Sequence, residues 1–388
     1  MKVCYLLPQY HKNSAENFYH IINFLEELGK KVELYVLIEH GESGIKIQSA
    51  KQTFILNNGE RTLSHFLRFI HIIKIYFYLY NKGINIFFAR ASLTGVLPLI
   101  FANRFLNFNR AKIIFWSCGI DVIPLSFFPN IKNIKRLLSK VLIRFVFLGM
   151  NYLATGPEKM ASYYHHKFNI PLNKILTLYN DISLSRFFPL SLKERVRIKN
   201  EILNSQKKII LFVHTFNKSR GADILPSLAL EIKKKNINAV VIAIGRPGDY
   251  SFELESQIKK NNLENSIINL GQVPNNEIEK FYQISDLFVM PSSGEGFPRV
   301  MLESMACKCP TLAFDVGGVS EVMNETMRNE LLIPLDDRRG FINQALMIID
   351  NMKLLNKLAN ASYSRVKKFS TENIIEMYIN SLSSVQIK

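Results

Sequence analysis

Two carboxylates lie eight residues apart in the stretch PSSGEGFPRVMLESMA, residues 291–306. Glu295 lies in a Ser/Gly-rich turn, whereas Glu303 lies among Val, Met, Leu and Ala, where an unpaired charge would be costly. The apolar strand DLFVMP precedes the turn, and Pro298 suits the first turn of a following helix. Because a helix N-terminus favours phosphate, we expect an anion there, with Glu295 binding hydroxyl groups and Glu303 accepting from protein donors or from a ligand diol.

The elements that must position these residues form two series of apolar strands alternating with helical segments. The first contains KVCYLL, KVELYVLI, INIFFA, AKIIFW, NYLAT and ILTLY, and the second contains KIILFVHT, AVVIAIG, SIINLG, DLFVMP, TLAFDV and LLIP. Near-continuous apolar strands are typical of parallel sheets covered on both faces. The sequence therefore predicts an α/β protein with two Rossmann-like, doubly wound domains facing across a cleft. We expect an N-terminal domain over 1–190, a C-terminal domain over 191–368, and a helix over 369–388 that packs back toward the N-terminal domain.

The charge is concentrated in the first half of the chain. The formal net charge is +17, and residues 1–190 hold 23 Lys and Arg against 10 Asp and Glu. An anionic partner is therefore expected on the first domain. No apolar run reaches the ~20 uninterrupted residues of a spanning helix, and MKVCYLLPQY is too short for a signal peptide. These features favour a cytoplasmic protein.

Two basic, aromatic segments of the first half have two interpretations. In RTLSHFLRFIHIIKIYFYLYNKG, a set of residues near helical spacing predicts a core-facing helix; the set is Leu67, Ile70, Ile73 and Phe77. The same segment can lie on anionic lipid through Arg68 and Lys74, and NIKNIKRLLSKVLIRFVFLG repeats its composition. Both interpretations stay open: a helix that packs on the core, and a peripheral association with the inner face of the cell membrane.

The segment EGFPRVMLE resembles the E-x7-E motif of the retaining glycosyltransferases of family 4, which have the GT-B fold. The surrounding LGQVPNNEIEKFYQISDLFVMPSSGEGFPRVMLESMACKCPTLAFDVGGVSEV is similar to that family's donor domain. Upstream, TGPEKMASYYHHKFNIPLNKILTLYNDISLSRFFP resembles the end of its first domain. The residues that carry this second match are Asn180, Asp181, Ile182, Ser183, Phe187 and Pro189.

The resemblance implies that the domain over 1–190 binds the acceptor and that the domain over 191–368 binds the nucleotide sugar. It also implies roles for the residues of the second half. Glu295 binds the donor sugar hydroxyls, and Glu303 binds the ribose diol. A turn of Gly296, Phe297, Pro298 and Arg299 faces the phosphates, and Gly317 and Gly318 open the following helix near the ligand. In FVHTFNKSRGADIL, Arg220 and Gly221 match a phosphate-binding Lys-Gly, whereas Thr215 replaces an Arg whose charge Lys218 can supply. Without the resemblance, Glu295 is a helix N-terminal charge, Glu303 a buried carboxyl satisfied by an amide, and Arg220 and Lys218 solvated loop residues.

The first half departs more from the family pattern. The loop PQYHKNSAEN lacks the family's Gly-Gly, which implies another phosphate or acceptor contact through Lys12, Asn13 or Ser14. In SCGID, Cys118 replaces the family's His, while Gly119 and Asp121 match. Asp121 is either a helix cap or an acceptor-binding, catalytic residue.

The resemblance implies a retaining, metal-independent transferase whose co-substrate is a nucleotide-diphosphate sugar and which needs no further cofactor. We expect a saccharide or lipid-linked acceptor in cell-surface polysaccharide or lipopolysaccharide biosynthesis. An alternative is a non-catalytic nucleotide-sugar-binding partner of another transferase. No nucleic-acid-reading motif accompanies the basic half, so nucleic acid is not expected as a partner.

Overall fold

The structure is a computed structural model that describes residues 1–10, 19–42, 44–57, 64–118, 132–203 and 205–387. It divides into two compact units. One comprises Met1–Tyr179 and Thr371–Lys388, and the other comprises Asn180–Ser370.

Among the described residues, the first unit contains a sheet of seven parallel strands. Its elements are β1 Lys2–Tyr10, α1 Tyr19–Lys31, β2 Glu33–Gly41, β3 Gln52–Asn57, α2 His65–Asn81, β4 Ile86–Arg90, α3 Leu93–Phe101, a π-helical turn Ala102–Leu106, β5 Lys112–Trp116, α4 Lys132–Gly149, β6 Tyr152–Thr155, α5 Glu158–Phe168 and β7 Ile175–Thr177. The strand order is β3-β2-β1-β4-β5-β6-β7. β3 was not predicted because QTFILN is short and only its last two residues are buried.

The second unit contains a sheet of six parallel strands among its described residues. Its elements are α6 Leu192–Leu203, β8 Lys208–Val213, α7 Leu225–Lys234, β9 Ala239–Ile244, α8 Ser251–Lys260, β10 Ile267–Gly271, α9 Ile278–Ile284, β11 Leu287–Met290, α10 Arg299–Ala306, β12 Thr311–Phe314, α11 Val319–Val322, α12 Glu325–Leu331, β13 Leu332–Ile333, α13 Arg338–Asp350 and α14 Met352–Val366. The order β10-β9-β8-β11-β12-β13 places the reversal of strand order between β8 and β11. In open parallel sheets, ligands bind outside the carboxyl ends of the strands at such a reversal.

The units divide before Asn180 rather than at residue 190, because the segment that follows Tyr179 is held by the second unit. The Ile182 N–H donates to Phe369 O at 2.9 Å. Arg186 forms an ion pair with Glu279 at 3.1 Å.

The last helix, α15 Thr371–Ile387, belongs to the first unit. Its Tyr378 ring meets the Phe24 ring of α1 edge to face, with centroids 4.9 Å apart. An aromatic pair of this geometry stabilises the packing beyond the area it buries. The helix is therefore attached to the fold of the first unit by its own apolar face.

The most buried side of α2 differs from the predicted one, although the predicted Ile73 and Phe77 are partly buried and pack against the core. Its buried residues are Arg68, Ile72, Tyr76 and Leu79, and Leu67 is 45% exposed. The helix is apolar on nearly every side, so its periodicity does not single out one face. Arg68 bonds to the imidazoles of His40 and His65, so the expectation that it faces lipid is wrong, whereas Lys74 is exposed. Within the described ranges, the helices lack the combination of length and apolar character needed to cross a membrane.

Candidate functional site

The loops that follow β8 and β11 lie side by side at the reversal point of the second sheet. β8 and β11 are paired in parallel, with Leu287 opposite Ile210 and Phe288 opposite Leu211. The loop after β11 is joined to the loop after β8 because Ser293 donates to Ser219 O through both its N–H and its hydroxyl, at 2.9 and 3.0 Å. The sequence-predicted Arg220 and Glu295 are thereby brought together from segments that are 75 residues apart.

Arg220 and Glu295 form an ion pair. Arg220 Nη1 donates to Glu295 Oε1 at 2.7 Å and to Gly294 O at 3.0 Å. The Glu295 side chain is 11% exposed and that of Arg220 is 33% exposed, so the carboxylate is the more buried member. Burial raises the pKa of Glu295, and the Arg220 charge opposes this rise. The Arg220 guanidinium remains partly exposed beside the carboxylate. Together, the two groups can bind an anion and neighbouring hydroxyls.

Two glycines allow these loops to approach closely. Gly221 has φ +75°, and a Cβ there would lie 2.1 Å from Pro291 O. Gly317 has φ +51°, and a Cβ there would lie 1.7 Å from Glu295 O. The next residue, Gly318, donates its N–H to Gly296 O at 3.0 Å. The turn after β12 therefore supports the backbone of the Glu295 loop, which is a packing role in addition to the one implied by resemblance.

The helix α10 begins directly after this loop. Pro298 occupies its N-cap, one position before the first helical residue Arg299. The Phe297 side chain is 4% exposed and packs edge to face on Phe369 at 5.3 Å, so its backbone rather than its ring is available to a ligand at this turn. The Phe297 carbonyl accepts from Asn180 Nδ2 at 2.8 Å, and Arg299 Nη1 donates to Asp181 Oδ1 at 3.2 Å. The Asn-Asp pair singled out in the sequence thus holds the N-terminus of α10.

Glu303 lies one turn beyond Arg299 on α10 and is partly buried. Burial raises its pKa, and the charges of Arg299 and Arg186 oppose that rise. The buried Tyr282 hydroxyl lies beside this carboxyl, and burial, followed by the Glu303 charge, raises the pKa of the phenol. Because an ionised carboxylate offers about four lone-pair sites, Glu303 retains capacity for hydrogen bonds to a ligand beside the Tyr282 hydroxyl.

His214 is a residue of this site that the sequence analysis missed. The Thr215 N–H donates to His214 Nδ1 at 2.8 Å, so the neutral ring carries its proton on Nε2, which lies 3.9 Å from Glu295 Oε1. Burial, followed by the charges of Arg220 and Arg246, lowers the pKa of His214 to about 3. The only sequence signal was its place at the carboxyl end of β8, directly before Thr215.

Lys218 lies on the far side of the same turn. It is exposed, its N–H donates to Asp249 Oδ1 at 2.9 Å, and its ammonium stands 5.9 Å from the centre of the Tyr250 ring. Arg220, not Lys218, is therefore the cation in contact with Glu295. The remaining predicted residues, Lys12, Asn13, Ser14 and Asp121, lie outside the described residues, as does Gly119. Cys118 is partly buried and packs on the core of the first unit.

The sequence of the second unit matches a known protein family. Residues 194–365 match the family model described as glycosyl transferases group 1. The second unit carries a glycosyl transferases group 1 domain. The relation predicted from EGFPRVMLE is confirmed at this level, and the domain contains the Arg220–Glu295 pair, His214 and Glu303.

Similarity to known proteins extends beyond the group 1 domain. The chain is 24% identical over 273 residues to the N-acetyl-alpha-D-glucosaminyl L-malate synthase of Bacillus anthracis, covering 70% of this chain and 67% of that protein. It is 22% identical over 361 residues to the N-acetylgalactosamine-N,N'-diacetylbacillosaminyl-diphospho-undecaprenol 4-alpha-N-acetylgalactosaminyltransferase of Campylobacter jejuni, covering 91% and 92%.

Solved structures share the fold of the whole chain. The structure of Anabaena HepE in complex with UDP and glucose has a TM-score of 0.76 at 15% identity and covers 99% of this chain and 100% of its own. The predicted fold class, a GT-B protein with two Rossmann-like parallel-sheet units, is confirmed.

Proposed function

We propose that the protein is a retaining glycosyltransferase that moves a sugar from a nucleotide-diphosphate sugar to a saccharide or lipid-linked acceptor. The observation that carries the proposal is the contact between Arg220 and Glu295 at the reversal point of the second sheet. A cation suits the diphosphate, and an adjacent carboxylate suits sugar hydroxyls, so one pair addresses both halves of the donor.

The relatives support this substrate class. The Campylobacter jejuni protein is named for a sugar transfer to a diphospho-undecaprenol-linked acceptor, and HepE is described in complex with UDP and glucose. By analogy we assign this chain to cell-surface polysaccharide or lipopolysaccharide biosynthesis, acting at the cytoplasmic face of the membrane.

In the proposed reaction, Arg220 and the N-terminus of α10 bind the diphosphate, which becomes the leaving group. Glu295 holds the donor sugar through its hydroxyls, and Glu303 accepts hydrogen bonds from the ribose diol. The bond between the anomeric carbon and the phosphate oxygen breaks, and a bond to the acceptor oxygen forms on the same face. The acceptor proton passes to the departing phosphate, so the step needs no protein nucleophile, metal or further cofactor.

The neutral His214 adds a donor to this arrangement. Its Nε2–H faces Glu295, and Thr215 stands where the resemblance has an Arg. We propose that His214 orients the Glu295 carboxylate once Arg220 engages the diphosphate. Lys12, Asn13, Ser14 and Asp121 remain proposed contacts of the first unit.

A thermal-stability screen of nucleotide sugars tests donor binding directly. A ligand that binds only the native state at about 100 times its Kd stabilises it by about 2.7 kcal/mol. We expect one nucleotide-sugar class to raise the midpoint of the wild type and of Glu255→Ala, an exposed carboxylate of α8, and to have little effect on Glu303→Ala. If no nucleotide or nucleotide sugar raises the wild-type midpoint, the proposed donor site is wrong. Stabilisation without any transfer would favour the non-catalytic partner instead.

A further inference from the structure

An exposed apolar tip projects from the turn that joins α3 to β5. It consists of Phe105, Leu106 and Phe108, which are 55%, 48% and 79% exposed. Phe108 and Asn109 have φ of +49° and +59°, the left-handed region that non-glycine residues rarely adopt. The chain therefore holds a large aromatic residue outward in an unfavourable backbone conformation, whereas hydrophobic burial alone would turn it inward.

A buried hydrogen-bond network fixes the base of the apolar tip. Tyr76 Oη donates to Asn103 Oδ1 at 2.9 Å and accepts from Asn107 Nδ2 at 2.8 Å. Asn103 also bridges both backbone groups of Ala111, each at 3.0 Å, and its carbonyl accepts from the Asn109 N–H at 2.8 Å. Because these polar groups are satisfied inside the unit, the turn is anchored and the apolar side chains form a preset projection.

The apolar tip is continuous with neighbouring apolar residues that are exposed or half-buried. The Phe105 ring lies 5.4 Å from that of Phe101, which in turn lies 5.7 Å from that of Phe69 on α2. On the other side, Arg104 Nη1 donates to Leu148 O at 2.9 Å, at the end of α4. One face of α4 adds three exposed apolar residues at helical spacing, Val141, Phe145 and Leu148.

Among the described residues, the charged side chains beside this surface are arginines. Arg104, Arg110 and Arg144 are exposed beside the apolar residues. The sequence contains no Asp or Glu in residues 64–118 or 132–157. An aromatic projection flanked by exposed arginines, with no acidic residue in the same segments, complements an anionic lipid surface.

We propose that the apolar tip and its flanking arginines dock the first unit on an anionic bilayer, with Phe105, Leu106 and Phe108 entering the interface. A second copy of the chain is a poorer occupant, because a two-fold contact would bring two copies of the same positively charged surface together. The inference rests on the proposed function for the location of the acceptor at a membrane, and it assigns the attachment to the π-helical turn and its loop.

Vesicle co-sedimentation of the full chain tests the proposal. Wild type is mixed with vesicles of phosphatidylcholine alone and with vesicles that also contain phosphatidylglycerol, without any nucleotide sugar. We expect binding to the anionic vesicles, and about a tenfold or greater loss of partition in the Phe105→Ser, Phe108→Ser double variant. Phe252→Ser, which changes an 86% exposed phenylalanine of α8, should bind as wild type.

The contribution of charge to vesicle binding is tested by a second pair of variants. Arg110→Gln should lower partition about fivefold, and Lys259→Gln, an exposed lysine of α8, should not. Equal binding by the double variant and wild type, or equal binding to neutral and anionic vesicles, would overturn the proposal. So would a wild-type dimer that the double variant converts to monomer in the absence of lipid, since a second copy would then cover this surface.

The test separates this inference from the proposed function. The double variant should keep the wild-type unfolding midpoint, because the two substituted side chains are exposed. It should also keep the wild-type response to nucleotide sugars, because Phe105 and Phe108 belong to the first unit and the donor site belongs to the second. Loss of vesicle binding with that response intact supports the docking surface. If the substitutions do not alter vesicle binding, the proposed docking surface is wrong, whereas the proposed donor site is unaffected.

Discussion

Arg220 and Glu295, from loops after two adjacent strands, meet at 2.7 Å while Arg220 also holds the Gly294 carbonyl at 3.0 Å. The guanidinium therefore fixes both the backbone and the side chain of the Glu295 loop before any donor arrives. Since the Glu295 side chain is 11% exposed, loss of Arg220 would leave a buried carboxylate without its cation.

Replacing Arg220 by Ala should lower kcat/KM for the donor by about 100-fold, because the leaving group loses a charged donor. Lys218→Ala is the matched control, and we expect a much smaller loss since its ammonium lies over Tyr250. Steady-state kinetics with varied donor checks both variants. A larger loss in Lys218→Ala would reverse the assignment of the phosphate cation.

Gly317→Ala should displace the Glu295 loop, because a Cβ there would lie 1.7 Å from Glu295 O. We expect destabilisation by about 1–3 kcal/mol together with loss of transfer. Gly271→Ala shares a positive φ, +61°, but has nothing within 4 Å of its Cβ, so it should show backbone strain alone with transfer preserved. Denaturant unfolding and transfer assays compare the two; similar activity losses would mean that the close approach is unimportant.

His214 should make stability depend on pH. Its pKa is lowered from 6.5 to about 3, so the unfolded chain binds more protons between these values. The contribution is complete above about pH 6.5 and is lost as pH falls. Relative to His214→Gln, the wild type should lose about 2 kcal/mol of unfolding free energy between pH 7.5 and pH 5.

The matched control for that measurement is His166→Gln, which changes an exposed histidine of α5 and should show no such divergence. Transfer by His214→Gln should retain the same profile between pH 6 and 8, because the wild-type ring is already neutral there. If the transfer rate of the wild type changes near pH 6.5 and that change is absent in His214→Gln, His214 is not neutral in this range and the assignment is wrong.

Glu303 should show the opposite dependence. Burial raises its pKa above the ordinary value, so the folded chain binds more protons and stability falls as pH rises through the raised pKa. Glu303→Gln should therefore gain stability relative to wild type when pH is raised from 4 to 7.5. Chemical unfolding at the two pH values checks this, with Glu255→Gln as control. If the stability of Glu303→Gln relative to wild type falls as pH rises, the fold compensates the Glu303 carboxylate and the prediction is wrong.

The sequence located the donor side of the site because its residues are nearly contiguous. Glu295, Pro298, Glu303 and Gly317 fall within one strand-turn-helix-strand passage, and their order along the chain fixes their order at the sheet edge. Two domains with parallel strands followed from apolar runs, for which burial on both faces leaves little alternative. The GT-B class followed from the resemblance of EGFPRVMLE and its surroundings to a known family.

Other features depend on contacts through space. The proximity of His214 to Glu295 follows from the β8–β11 pairing rather than from any local pattern. In α2, apolar residues on nearly every side left the core face undetermined, and Arg68 is buried because His40 from β2 reaches it. Phe297 belongs to a motif by sequence, yet its ring packs on Phe369.

The most direct test of the central claim is sugar transfer by the purified chain, using the nucleotide sugar identified by thermal stabilisation and a panel of saccharide and lipid-linked acceptors. The account predicts a product that keeps the anomeric configuration of the donor, with turnover abolished in Glu303→Ala and preserved in Glu255→Ala, both folded. Near-normal turnover by Glu303→Ala, or a product of inverted configuration, would contradict it.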